Sequence, residues 1–143
     1  MTNYSTIAQV RLEAGFTNNL DILDATITEY TNQAHGVILS KLASDYDITK
    51  LDISNLAFVN SIAQSVLTRC EILLTSGYLL IKEYGVMIGD KPIDEAKRRI
   101  DEAFKLLDKI SSGEIQLLDN TNTTIAFGDT STNNVRAYSA LIV

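Results

Sequence analysis

Asp94 to Leu117 reads DEAKRRIDEAFKLLDKISSGEIQL, and the spacing within it decides the fold class. Ala96, Ile100, Ala103, Phe104, Leu107 and Ile110 recur at intervals of three and four, so they share one stripe of an α-helix. Asp94–Arg98, Glu95–Arg99 and Asp101–Lys105 set an acid four residues before a base on the opposite surface, the better order for helical pairs. Gly113 stands where a left-handed residue would stop the helix. The alternation in Ile115-Gln116-Leu117 then predicts a short strand or extended segment. This helix is built to pack on others.

Working outward, the same periodicity predicts three more helices. Ile7 to about Ala14 forms the first, with Thr6 and Gln9 at capping-box spacing and Gly15 as its stop. Ile7, Val10 and Ala14 share a face, but a helix this short depends on tertiary packing. After the polar turn Thr17-Asn18-Asn19, a second helix runs from about Asp24 to Ala43, its stripe being Leu23, Ile27, Tyr30, Ala34, Val37, Ile38 and Leu42. Ser44 to Asp52 is a linker with turn-forming Asp residues.

The third helix is the longest, about Ser54 to Tyr84, with Leu56, Val59, Ile62, Ala63, Val66, Leu67, Cys70, Leu73, Leu74 and Ile81 on its inner face. At 1.5 Å per residue it would be about 45 Å long. Such a length leaves two alternatives: Gly77 breaks the helix, or one end projects toward a partner. Gly85 to Lys91 is a loop, and Pro92 suits the first turn of the fourth helix.

The chain is thus expected to be all-α: a small four-helix bundle with one long helix, a short extended segment and a C-terminal tail. Residues 1–117 form the helical domain. From Asp119 to Asn134 the sequence is dominated by Thr, Asn and Asp and has little to bury. Beyond that tether lie Tyr138, Leu141, Ile142 and Val143. An apolar stretch on a polar tether suggests that 118–143 dock on a neighbouring subunit; the alternative is that the tail folds back on its own bundle.

Composition bounds the function. At 143 residues, with 45% apolar and 21% charged residues, the chain suits a single soluble domain. Its net charge of −6 lacks the basic footprint of a protein that grips nucleic acid. Passage of DNA along a mildly acidic wall remains compatible with it. MTNYSTIAQV does not have the pattern of a signal peptide, and no run approaches the length needed to span a bilayer. Arg69, Glu71 and Lys82 interrupt the most hydrophobic region. The sequons at Asn3 and Asn122 read as chance matches in an intracellular protein.

No constellation for catalysis emerges. Cys70 is the only cysteine and continues an apolar stripe, which makes it a buried core thiol rather than a nucleophile. His35, the only histidine, falls at the edge of its stripe and is expected at the surface or boundary. Neither C-x-x-C, H-x-x-x-H nor an EF-hand loop is present, so no metal or cofactor is expected. Gly85 to Lys91 lacks the spacing of a phosphate-binding loop. Lys97, Arg98 and Arg99 are nearly neutralised by Asp94, Glu95, Asp101 and Glu102. That surface is either a solvated helix face or an intersubunit salt-bridge face.

Several segments together resemble the head–tail connector proteins of tailed bacteriophages, also called head-completion or adaptor proteins. The likeness lies in Tyr4-Ser5-Thr6-Ile7-Ala8-Gln9-Val10-Arg11 with Gly15-Phe16-Thr17, in the long helix from Asp24, and in Ala96-Lys97-Arg98-Arg99 through Leu107 followed by Ser112-Gly113-Glu114-Ile115-Gln116-Leu117. It covers about residues 4 to 117. The linker from Ser44 lacks the proline-rich stretch common in related chains, and the tail has no counterpart. The resemblance implies a homo-oligomeric ring, commonly of twelve copies, between the portal protein and a stopper or tail-completion protein. DNA would pass through its lumen without specific binding, and no membrane is involved. Such a protein is made in the host bacterial cytoplasm and resides in the virion neck. Candidate contacts between subunits or with partners are Lys97, Arg98, Arg99, Glu102, Arg136, Tyr138, Leu141, Ile142 and Val143. The competing readings are a tail-completion protein, a non-viral helical protein-binding module and, least supported, an enzyme.

Overall fold

In a computed structural model of the chain, Thr6 opens the first helix with a complete capping box. Its hydroxyl accepts from the Gln9 amide, while the Gln9 side chain accepts from the Thr6 amide. The structure describes residues 3–15, 22–46, 51, 62–84 and 90–117, without the side chains of 62, 63, 83, 84 and 90–94. Among these residues the chain is all-α: α1 Ile7–Ala14, α2 Asp24–Leu42, α3 Ile62–Tyr84 and α4 Asp90–Ser111. The expected linker residues 47–50 and 52, the start of the long helix at 54–61, residues 85–89 of the expected Gly85–Lys91 loop and the whole tail lie outside them; Asp90 and Lys91, expected in that loop, instead open α4.

Both expected glycine stops are present. Gly15 has φ +83° and donates its N–H to the Arg11 carbonyl at 2.9 Å. Gly113 has φ +84°; it donates to Ile110, and Ile115 donates to Lys109, both at 3.1 Å. These bonds occupy carbonyls that the last turn of α4 would leave unmet. The 115–117 segment forms no strand; its Leu117 turns back into the core. Pro92 is the third residue of α4, where the helix needs no N–H from it.

α3 is the central element and touches α1, α2 and α4. Apart from half-buried Tyr78, every residue from Cys70 to Leu80 is buried, which accounts for a helix apolar on nearly all sides. Gly77 does not break it. A Cβ at Gly77 would meet Ile100 Cγ1 at 2.7 Å and the Ala96 carbonyl at 3.1 Å, so the missing side chain lets α4 approach. Gly77 beside Ile100 and Cys70 beside Ala103 make α3 and α4 antiparallel.

The α4 stripe behaves as its spacing predicts: Ala96, Ala103, Leu107 and Ile110 are fully buried, and Ile100 and Phe104 partly so. The α2 stripe needs correction. Its buried side is Ile27, Thr31, Ala34, His35, Ile38 and Leu42, whereas Leu23 is the exposed residue preceding the helix. The stripe is rotated toward His35, whose imidazole meets the Glu71 carboxylate inside, while Thr31 bonds back to the Ile27 carbonyl of its own helix. Ile81, expected on the inner face of α3, is also exposed.

Candidate functional site

The outer face of α4 holds the charged residues singled out from the sequence. Lys97, Arg98, Asp101, Glu102 and Lys105 line an open groove of about 450 Å³. Arg98 donates to both Glu95 oxygens, at 2.9 and 3.3 Å, and reaches Glu102 at 3.4 Å. Hydrogen bonding by Arg98 holds the Glu95 carboxyl below the usual range, and the same bond raises the Arg98 guanidinium. Both side chains are about half exposed, so this pairing fixes side-chain direction more than stability. Of the expected pairs, Glu95–Arg99 forms at 3.4 Å. The Asp94 side chain lies outside the described residues.

Arg99 faces the other way. Its side chain is 14% exposed, and it donates to the Glu13 carbonyl at 2.6 Å. The Glu13 carboxylate in turn pairs with Arg69 at 3.1 Å. Arg99 therefore fastens α4 to the end of α1 and is committed within the chain. Lys97 lines the groove beside Arg98 and Glu102, which pair with each other on its exposed face. Arg136, Tyr138, Leu141, Ile142 and Val143 lie outside the described residues.

A second polar centre is internal, and the sequence reading missed it. Glu71 is fully buried in α3. One oxygen accepts from both the amide and the hydroxyl of Ser5, each at 2.6 Å; the other lies 2.7 Å from His35 Nδ1. His35 is buried too, contrary to its expected surface position, because this carboxylate gives its imidazole a partner. The Tyr4 ring lies tilted against it at 4.6 Å. Thr68 donates to the Tyr4 carbonyl at 3.2 Å, and the Tyr4 hydroxyl donates to the Leu51 carbonyl at 2.6 Å. Together these contacts strap Tyr4 and Ser5 against α2 and α3. The Ser5 hydroxyl points at the carboxylate and makes no bond to the imidazole, so this is a tether and not a nucleophile–base pair. A polar residue inside an apolar run was the available signal, but its partners lie 36 and 66 positions away.

Cys70 is buried as expected. Its thiol is pushed up to about 12 by burial, against a smaller opposing effect of Arg69, and faces the Ala103 carbonyl at 3.9 Å. Among the described residues, no three His, Cys, Asp or Glu side chains gather as metal ligands, and no helix is long and apolar enough to cross a membrane. Comparison of the chain with protein-family models, with curated proteins and with solved structures found no match.

Proposed function

We propose that the chain is a structural subunit of the head–tail connector of a tailed bacteriophage, assembled as a ring between the portal and the next stopper or tail component. The observation that carries this reading is that the residues bearing the family resemblance are those that start and stop its helices. Thr6 and Gln9 cap α1, Gly15 and Gly113 adopt left-handed stops, and Ala96 to Leu107 supplies the buried face of α4.

In this reading the ring subunit carries out no reaction; its surfaces do the work. Every contact around a ring is heterologous, one face meeting a different face of the next copy. The groove edged by Lys97, Arg98, Asp101, Glu102 and Lys105 offers interleaved charges of both signs to such a neighbour. The acidic balance of the chain suits a wall that DNA slides past without sticking.

Imaging of the assembled phage particle at side-chain resolution tests the proposal. The expected result is this helical bundle repeated around the channel at the head–tail joint. Its absence from the particle, or its presence as an isolated chain enclosing a small molecule, would overturn the reading.

A further inference from the structure

Tyr30 and Gln33 on α2, with Tyr78, Ile81 and Lys82 on α3, bound a mainly apolar open groove of about 270 Å³. Ile81 remains 45% exposed in the single chain. No hydrogen bond or ion pair to another described residue engages Gln33, Lys82 or either tyrosine hydroxyl. Burial keeps the Tyr78 phenol protonated beyond its ordinary range, so it stays a donor at the groove wall. The groove thus combines two aromatic walls, an uncovered aliphatic residue and uncommitted polar groups at its rim. That is the composition of a peptide-receiving surface.

The chain carries a segment of matching chemistry. Val135, Tyr138, Leu141 and Ile142 recur at three and four, the spacing of a short apolar helix face. They follow the polar stretch Asp119 to Asn134. Leu117, where this tether begins, is fully buried in the core cluster that also holds Leu42, Tyr46 and Ile110. Tyr30 lies twelve positions before Leu42 on α2, about 18 Å away along the helix axis. The tail therefore leaves one end of the bundle, while the groove opens toward the other. The 21 residues from Leu117 to Tyr138 span at most about 70 Å, enough to reach an adjacent copy.

We propose that this groove receives residues 135–142 of a second copy of the chain, with Tyr138, Leu141 and Ile142 seated against Tyr30, Tyr78 and Ile81. The donor site and the receiving site are different surfaces, so each copy gives a tail to one neighbour and accepts a tail from the other. Such a contact closes around a ring. The inference deepens the connector reading and rests on it only for that closed geometry.

The test uses full-length chains. Ile81→Cys and Leu141→Cys variants, the second carrying a mass tag, are mixed at high concentration and oxidised, then resolved without reductant. Cys70 is buried and its thiol is pushed up to about 12, so the introduced cysteines are the reactive ones. The expected product is a disulfide-linked pair of one tagged and one untagged chain, absent from either variant alone. Ile81→Asp in place of Ile81→Cys, assayed by a cross-linker from position 141, should abolish the contact while leaving thermal stability unchanged. Failure to form the mixed pair overturns the proposal. So does a double variant that closes only an intrachain disulfide, which would mean that the tail serves its own bundle. Rings in the particle without this cross-link sink the tail contact alone, whereas the cross-link in a chain missing from the particle sinks the connector reading alone.

Discussion

His35 Nδ1 lies 2.7 Å from Glu71 Oε1 inside the protein, joining α2 to α3 by the one imidazole the chain has. The other carboxylate oxygen holds Ser5. One buried side chain therefore ties together the N-terminal segment and two helices. Removing one member of such a group costs more than the group contributes as a whole, because the remaining members keep their desolvation without a partner.

Glu71→Ala should accordingly destabilise the chain by about 3 kcal/mol, since it strands the Ser5 amide, the Ser5 hydroxyl and His35 at once. Glu71→Gln keeps an acceptor in place and should cost less. Ser5→Ala should cost about 1 kcal/mol. Urea denaturation measures all three, and amide exchange at Ser5 should accelerate in Glu71→Ala. Equal stability of Glu71→Ala and the parent chain would contradict the role assigned to this carboxylate.

Gly77→Ala should lose about 1–3 kcal/mol, although alanine is the better helix former. The new methyl would sit 2.7 Å from Ile100 Cγ1 and 3.1 Å from the Ala96 carbonyl. Adding Ile100→Ala should relieve the side-chain clash but not the carbonyl contact, so the double variant should fall short of additive loss. Thermal melts of the four chains complete the cycle.

The two adjacent arginines of α4 should separate stability from assembly. Arg99→Ala removes a charged donor from the Glu13 carbonyl and should cost about 2 kcal/mol. Arg98→Ala acts on a solvated side chain and should leave stability nearly unchanged. In the connector reading, Arg98→Ala should nonetheless reduce incorporation into particles. Denaturation curves set beside particle composition show whether the two effects part.

Alkaline pH should expose the Cys70 thiol. Its folded-state value lies near 12 against an ordinary 9.0, so above pH 9 the unfolded chain releases this proton and the folded chain retains it. Stability should therefore fall as pH rises from about 9 toward 12, by up to about 1.4 kcal/mol per unit from this group. The difference between the parent chain and Cys70→Ala isolates it from other groups titrating there. A disulfide reagent at pH 8 should leave the native thiol unmodified and label it once the chain unfolds.

The elements of this protein were legible wherever one local rule sufficed. The capping pair Thr6 and Gln9, the stops at Gly15 and Gly113 and the buried stripe from Ala96 to Ile110 each depend on neighbours within a turn or two, so spacing and residue type specify them. The buried thiol of Cys70 followed from its place in an apolar run.

Other positions were decided by residues distant along the chain. Glu71 read as a charge interrupting a hydrophobic helix and His35 as a boundary residue, because nothing near either announces a partner. Folding brings them together from 36 positions apart, so that the carboxylate meets His35 Nδ1, while Nε2 is buried with no hydrogen-bond partner. The same holds for Gly77, whose meaning is the closeness of α4, and for Arg99, which turns from the charged face to the end of α1. Periodicity determined which segments are helices and which face of α4 is apolar. Tertiary packing decided which polar groups go inside, because a buried charge or donor persists only where another part of the chain supplies its counterpart.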